Sequence, residues 1–149
     1  MRPLRAVARP AAVEDAESLA KLHAACFASP WEAELLQVFL GAPDCLCLLS
    51  MEGQDVTGFL LTRTAADEAE ILTIAVDPAS RRKGIARTLL KAAIAGLKAR
   101  GTKTLFLEVD EKNNAALTLY RGFGAKPIGR RAGYYADGGD AAILSLTLE

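Results

Sequence analysis

The chain has 149 residues, 51% hydrophobic and 24% charged, with 18 Lys and Arg balancing 18 Asp and Glu. That is the size and balance of one soluble globular domain, residues 1–149, with a single sizeable core. No apolar run reaches the roughly 20 residues needed to cross a bilayer, and residues 1–5 lack an apolar signal segment, so the cytoplasm is the expected compartment and a membrane partner is not.

Three cysteines make an odd count without a framework, and one histidine cannot assemble a zinc site, so neither a disulfide-stapled fold nor a bound metal is expected. The charge is unevenly spread. Residues 80–131 hold thirteen Lys and Arg against three acids, and the remainder five against fifteen. The first set suits a polyanionic ligand and the second a cationic one. No aromatic platform interleaves with the cations, which argues against nucleic acid.

Residues 4–9 read as a first strand, closed by Pro10. Over residues 13–27 the positions Ala16, Leu19, Ala20, His23, Cys26 and Phe27 follow a 3.6-residue period, which predicts an amphipathic helix. His23 falls on its inner face and reads as a core or pocket-wall residue. Ser29-Pro30-Trp31-Glu32 predicts a second helix start, with Ser29 as N-cap, Pro30 at the first helical position and Glu32 completing a capping box. Trp31, Leu35, Val38 and Phe39 would form its apolar face, and Gly41 with Pro43 would stop it.

Residues 45–51 and 56–62 are apolar runs joined by Glu52-Gly53-Gln54-Asp55, which reads as a hairpin with a four-residue loop. Cys45 and Cys47 share one face of the first run and read as buried free thiols. A polar turn at Asp67 and Glu68 leads to a fourth strand ending Ile74-Ala75-Val76, so strands two to four form an antiparallel meander.

Asp77-Pro78 then opens a turn carrying Arg81, Arg82, Lys83 and Gly84, and an amphipathic helix follows. That helix buries Ile85, Leu89, Ala92, Ala93 and Leu97, exposes Arg87, Lys91 and Lys98, and ends at Gly101. This is the build of a phosphate cradle. Amides at a helix N-terminus lack partners, the helix dipole favours an anion there, and the cations add countercharge. With Gly84 as the turn's one glycine, neither G-x-x-x-x-G-K-[ST] nor G-x-G-x-x-G is present.

Residues 104–109 form a fifth strand, and so short a strand, helix, strand passage implies parallel pairing with a right-handed crossover. Asn113 or Asn114 caps a short helix that Gly124 ends. Residues 126–131 and 141–148 read as a last hairpin. The order is strand, two helices, three strands, helix, strand, helix, two strands.

With this order, two blocks resemble the GNAT superfamily of acyl-coenzyme A dependent N-acetyltransferases. Arg81-Arg82-Lys83-Gly84-Ile85-Ala86 matches [QR]-x-x-G-x-[GA], with Ala86 in place of the second glycine. Residues 113–124 match N-x-x-A-x-x-L-Y-x-x-x-G. Pro30-Trp31, residues 74–78, Leu107-Glu108-Val109 and Arg130-Arg131-Ala132-Gly133-Tyr134-Tyr135 are similar to its RimI-type branch, which acetylates the N-terminal alanine of a ribosomal protein. Gly124-Ala125 departs from the branch, where an aromatic follows the glycine.

The resemblance implies an α/β (α+β) GNAT fold, a mixed sheet of about seven strands with about four helices, splayed between strands four and five. It also implies acetyl-coenzyme A as co-substrate. Its pantetheine arm would lie along Ile74, Ala75 and Val76, and its pyrophosphate on Arg81, Arg82, Lys83, Gly84, Ile85, Ala86 and Arg87, with Asn113 as a further contact. A backbone N–H near Ala75 or Val76 would stabilise the oxyanion. Glu108 would be the base, its pKa raised by burial, and Tyr120 the acid that protonates the leaving thiolate.

The expected reaction is direct transfer to a protein N-terminus, by a monomer or weak dimer whose Tyr134-Tyr135 loop shapes the acceptor groove. The alternatives are a small amine or lysine side chain as acceptor and, in another class, a non-catalytic acyl-coenzyme A binding module.

Overall fold

The computed structural model describes residues 7–135 and 137–148. The elements in chain order are β1 (Val7–Pro10), α1 (Ala16–Cys26), α2 (Ala33–Gly41), β2 (Cys45–Glu52), β3 (Asp55–Ala65) and β4 (Glu68–Val76), then α3 (Ile85–Ala99), β5 (Thr104–Asp110), α4 (Asn114–Gly122), β6 (Lys126–Arg131) and β7 (Ala141–Thr147). Single 3-10 turns precede α1 (Val13–Asp15) and α3 (Pro78–Ser80). Residues 4–6 of the expected first strand lie outside the described residues. No helix is long and apolar enough to cross a membrane.

The seven strands form one sheet in the order β1-β2-β3-β4-β5-β7-β6. Its one parallel pair is β4 with β5, joined through α3. The β2–β3 turn is tighter than the four-residue loop expected: Glu52 pairs with Asp55, leaving Gly53 and Gln54 at the tip, with Gly53 at φ 63°.

Helices cover both faces, which is why the central strands are apolar throughout rather than alternating. Leu48, Leu60, Leu105, Leu107 and Leu144 pack with Ile85, Leu89, Leu90 and Leu97 of α3 and Tyr120 of α4. Cys47, Leu49, Phe59, Leu61 and Ala75 pack on the other face with Leu19 and Leu22 of α1 and Leu36 of α2. Burial of each such Leu, Ile or Phe side chain stabilises the fold by about 1.5–3 kcal/mol.

The second helix departs from expectation. It begins at Ala33, with Glu32 in an extended N-cap conformation (ψ 161°) and no side-chain cap bond, so Ser29, Pro30 and Trp31 precede the helix. Leu36 is buried, while Leu35 and Val38 are 41% and 67% exposed. Tertiary docking overrides the capping signal: Trp31 stacks on His23, with ring centroids 5.0 Å apart, and meets Phe39 at a tilt, with centroids 5.4 Å apart. The N–H of Trp31 donates to His23 Nδ1 at 3.1 Å.

The α3 helix follows its expected period and ends at Gly101, whose φ of 86° only glycine adopts without strain. The hydrophobic spacing of α4 places Tyr120 in the core beneath β5 and β7, and the side chain of Asn113 caps the helix by accepting the Ala116 N–H at 3.1 Å.

Candidate active site

The parallel ladder between β4 and β5 is short. Glu68, Ala69 and Glu70 pair with Thr104, Leu105 and Phe106, and no pair follows. Just beyond, Leu72 is an extra residue on β4, because Leu61 pairs with Thr73 and Thr62 with Ile71. Such a bulge bends its strand and sharpens its twist. From there β4 stays with β3 while β5 stays with β7, and the sheet opens as a wedge.

The wedge is the mouth of a cleft of about 770 Å³. Ile71, Leu72, Thr73 and Ile74 line it from β4, and Leu107, Glu108, Val109 and Asp110 from β5. Asn113 and Tyr120 close one side, while Phe27, Arg131, Tyr134 and Tyr135 close the other. The fold thus brings Ile74, Glu108, Asn113 and Tyr120, far apart in sequence, to one cavity.

The open edge of β4 carries unused polar backbone. Asp77 N–H donates to the Thr57 carbonyl at 2.8 Å, one step beyond the Gly58–Val76 pair. In an antiparallel ladder this makes Phe59–Ala75 a hydrogen-bonded pair, so Ala75 spends its N–H and C=O on β3. Ile74 and Val76 therefore turn theirs toward the wedge. The Val76 carbonyl already accepts from Cys26 Sγ at 3.3 Å and Arg81 Nε at 3.4 Å. The N–H groups of Ile74 and Val76 are left facing the cleft, and Ala75 supplies a buried methyl instead.

The turn after β4 is a second unsatisfied surface. Asp77 caps the 3-10 turn by accepting the Ala79 N–H at 3.0 Å. Arg82 (φ 67°) and Gly84 (φ 77°) then turn left-handed, and α3 makes its first backward bond from Thr88 N–H to Gly84 C=O at 3.0 Å. Among the described residues no hydrogen bond takes the N–H of Arg82, Gly84, Ile85, Ala86 or Arg87. Alternating left- and right-handed backbone gathers such donors into an anion-binding concavity.

Arg81, Arg82 and Lys83 are all exposed around it, and Lys83 Nζ is held 3.8 Å from Glu52 Oε2. These donors and cations fit a pyrophosphate. The turn lies beyond the end of the cleft rather than inside it, which suits a long ligand with phosphates at one end.

Tyr120 reaches the cleft from the α3–α4 face. It is 5% exposed, and burial pushes its phenol up to about 12. Its hydroxyl makes no hydrogen bond among the described residues, so it is free to donate into the cavity. The side chain of Asn113 is spent partly on its cap: Oδ1 accepts from α4 while the amide nitrogen has no partner among the described residues.

Glu108 departs from expectation. It is exposed, because β5 alternation turns Phe106 and Glu108 away from α3, and α1 and α2 cover β2, β3 and β4 but not β5. Its Oε1 lies 3.4 Å from Arg131 Nη1 at the end of β6. Arg131 in turn sits over the ring of Tyr134, 5.0 Å from its centroid. Sequence reasoning missed this pairing. The one sign of it was Arg131 standing in the block that carries Tyr134 and Tyr135.

His23 is buried, as expected for a wall residue, and burial lowers its pKa. Cys47 is buried and pushed up to about 12, whereas Cys26 and Cys45 are half-buried.

The chain thus holds a wedge between two parallel strands, an amide cradle at its end, and a buried phenol opposite a carboxylate. Residues 16–125 match the Acetyltransferase (GNAT) family, and the chain belongs to that family. It is 37% identical over 139 residues to the [Ribosomal protein bS18]-alanine N-acetyltransferase of Haemophilus ducreyi, covering 91% of this chain and 95% of that one. The crystal structure of the Escherichia coli ribosomal-protein-S18-alanine N-acetyltransferase superposes with a TM-score of 0.89 at 30% identity, covering 97% of this chain and 94% of that one. The NatC complex bound to Gag peptide and CoA gives 0.85 at 26% identity, over 98% of this chain and all of the matched one.

Proposed function

We propose that this chain, acting as one acetyltransferase domain in the cytoplasm, moves the acetyl group of acetyl-coenzyme A directly to the N-terminal amine of a protein, with a ribosomal protein beginning in alanine as acceptor. The carrying observation is the cleft between β4 and β5, which Tyr120 enters from one face of the sheet and Glu108 from the other. That separation lets an acyl donor and an amine approach from opposite sides.

The co-substrate supplies an activated thioester carbonyl. The turn amides and the cations Arg81, Arg82 and Lys83 would hold its pyrophosphate, and Asn113 and the open edge at Ile74 and Val76 would hold its arm. The amides of Ile74 and Val76 are the donors available to a developing oxyanion. Glu108 takes the proton that the attacking amine loses, directly or through water. Tyr120, kept protonated by burial, gives its proton to the departing thiolate.

An N-terminal acceptor suits one exposed carboxylate. An α-amino group titrates near 8 and a lysine near 10.4, so at pH 7 the former has a neutral fraction larger by a few hundredfold. Glu108 and Asp110 face the cleft beside Arg131, and Glu70 faces it from an ion pair with Arg63. The names of the Haemophilus relative and the Escherichia coli structure give the acceptor class those proteins use.

The test compares peptides beginning with Ala, free amines, and peptides with a blocked N-terminus and an internal Lys. Acetylation of the first set at the α-amine is expected. Turnover confined to free amines or lysine overturns the acceptor. Wild-type rates in both Glu108→Gln and Tyr120→Phe, with acetyl-coenzyme A still bound, overturn the assignment of base and acid.

A further inference from the structure

We infer that His23 is a positioning residue for the acceptor: it ties the segment of residues 27–32 to β4 and so fixes the wall of the cleft that Phe27 forms. The inference rests on the reading above, in which the amine approaches from the Glu108 side of the sheet, and Phe27 lines the same cleft.

His23 is 3% exposed and makes two bonds in opposite directions. Its Nδ1 accepts the N–H of Trp31 at 3.1 Å, and its Nε2 lies 3.3 Å from Thr73 Oγ1. The first bond fixes the tautomer. Nδ1 must be bare to accept, so the proton sits on Nε2 and is donated to Thr73. The ring is also sandwiched by the segment it holds, with Phe27 stacked at 4.3 Å and Trp31 at 5.0 Å.

Thr73 and Phe27 both line the cleft, and Thr73 precedes the open edge at Ile74. One ring thus links the strand that faces the thioester to the wall that faces the amine. Among the described residues, the Trp31 N–H to His23 bond is the one hydrogen bond joining residues 28–31 to the rest of the protein. Without it the wall would be held by stacking alone.

The link exists only in the neutral ring. A proton on Nδ1 would set one N–H against another and expel Trp31. The groups facing the ring are Phe27 and Trp31 from the segment, Phe59 from β3 and Thr73 from β4. None of them is charged, so no neighbouring carboxylate stabilises the imidazolium.

Trp31 is the one tryptophan in the chain, so its emission reads the tie without any turnover. The experiment uses full-length wild type, His23→Phe, which keeps a stacked ring without its bonds, and His23→Asn, whose Oδ1 stands where Nδ1 stood. His23→Phe is expected to raise the KM for an Ala-peptide about tenfold, the scale of one lost hydrogen bond, with kcat and the Kd for coenzyme A unchanged. His23→Asn is expected to recover most of that loss.

Wild-type Trp31 emission is expected to change on acidification below the ordinary histidine range, and both variants are expected to lose that change. The inference is overturned if His23→Phe leaves peptide KM and emission as in wild type, or if it weakens coenzyme A and peptide together without rescue by Asn. If wild type acetylates no N-terminal peptide, the acceptor reading has failed, and the emission arm still decides whether the tie exists.

Discussion

Gly58 on β3 lies directly beneath Ile85, the first residue of α3. A Cβ at Gly58 would stand 2.9 Å from Ile85 Cγ2, 3.1 Å from the Ala75 carbonyl and 3.2 Å from Leu89 Cδ1. Gly58 also pairs with Val76, so a missing side chain lets the N-terminus of α3 settle against the end of β4. Cradle and open edge share one floor.

Gly58→Ala should therefore lift the cradle. Overpacking of this kind costs about 1–3 kcal/mol, and the displacement falls where the turn amides must converge. A control exists within the same helix: a Cβ at Gly96 would meet Leu46 Cδ2 at 2.9 Å, a flexible tip far from the turn. Gly58→Ala is expected to lose stability in urea and to bind coenzyme A more weakly by calorimetry, whereas Gly96→Ala, which displaces only the Leu46 tip inside a helix that favours Ala, is expected to keep both. Equal affinity in the two would separate the floor from the cradle.

The left-handed turn gives a second prediction. Gly84 has φ 77° with nothing within 4 Å of a Cβ, so Gly84→Ala meets no clash and only the backbone cost of about 1–2 kcal/mol. Relief of that strain rotates the amides of Gly84 and Ile85 out of register. Coenzyme A should bind more weakly, whereas dephosphorylated pantetheine should show little change. A parallel loss for both ligands would assign the effect to the cleft instead.

In the proposed reaction, Tyr120 as the acid sets the alkaline behaviour. Its phenol is raised to about 12 by burial, chiefly desolvation, so the donor form persists well past the ordinary tyrosine range. The rate should show no falling limb from this group below about pH 11. Stability runs the same way: the raised folded value contributes stability below the ordinary value of 10, which is lost as pH rises toward 12. Tyr120→Phe should lower kcat by about 10²–10⁴-fold, with coenzyme A affinity retained. Stopped-time assays across pH 7–10.5 check both statements.

What the sequence disclosed was local. Strand, cations, Gly84 and helix follow one another within twenty residues, and each obeys a rule of backbone chemistry, so the cradle could be read directly. The short helix carrying Tyr120 was equally plain from Asn113 and its spacing. Two features were hidden because their causes are tertiary. Ser29-Pro30-Trp31-Glu32 has every local mark of a helix start, yet Trp31 is drawn out of it by His23, whose own second partner, Thr73, is fifty residues further on. Glu108 stands between apolar neighbours, yet it is exposed because no helix covers its face of β5, and its partner Arg131 comes from the far hairpin.

The neutral, buried state of His23 has a cost that acid should expose. Desolvation lowers its folded value below the ordinary 6.5. Between those two values the unfolded chain binds more protons than the folded one, so stability falls as pH drops from about 6.5 and levels off below the folded value. No other histidine contributes in that window. Asp15, whose carboxyl is lowered by its bond to Arg9, loses its contribution only as pH falls below 3.8. His23→Phe removes the titrating group, and the stability difference between wild type and this variant should narrow from pH 8 to pH 5.5 in paired urea melts. A difference that stays constant over that range would mean that His23 titrates alike in the folded and unfolded chain, and that the fold places no demand on its neutral form.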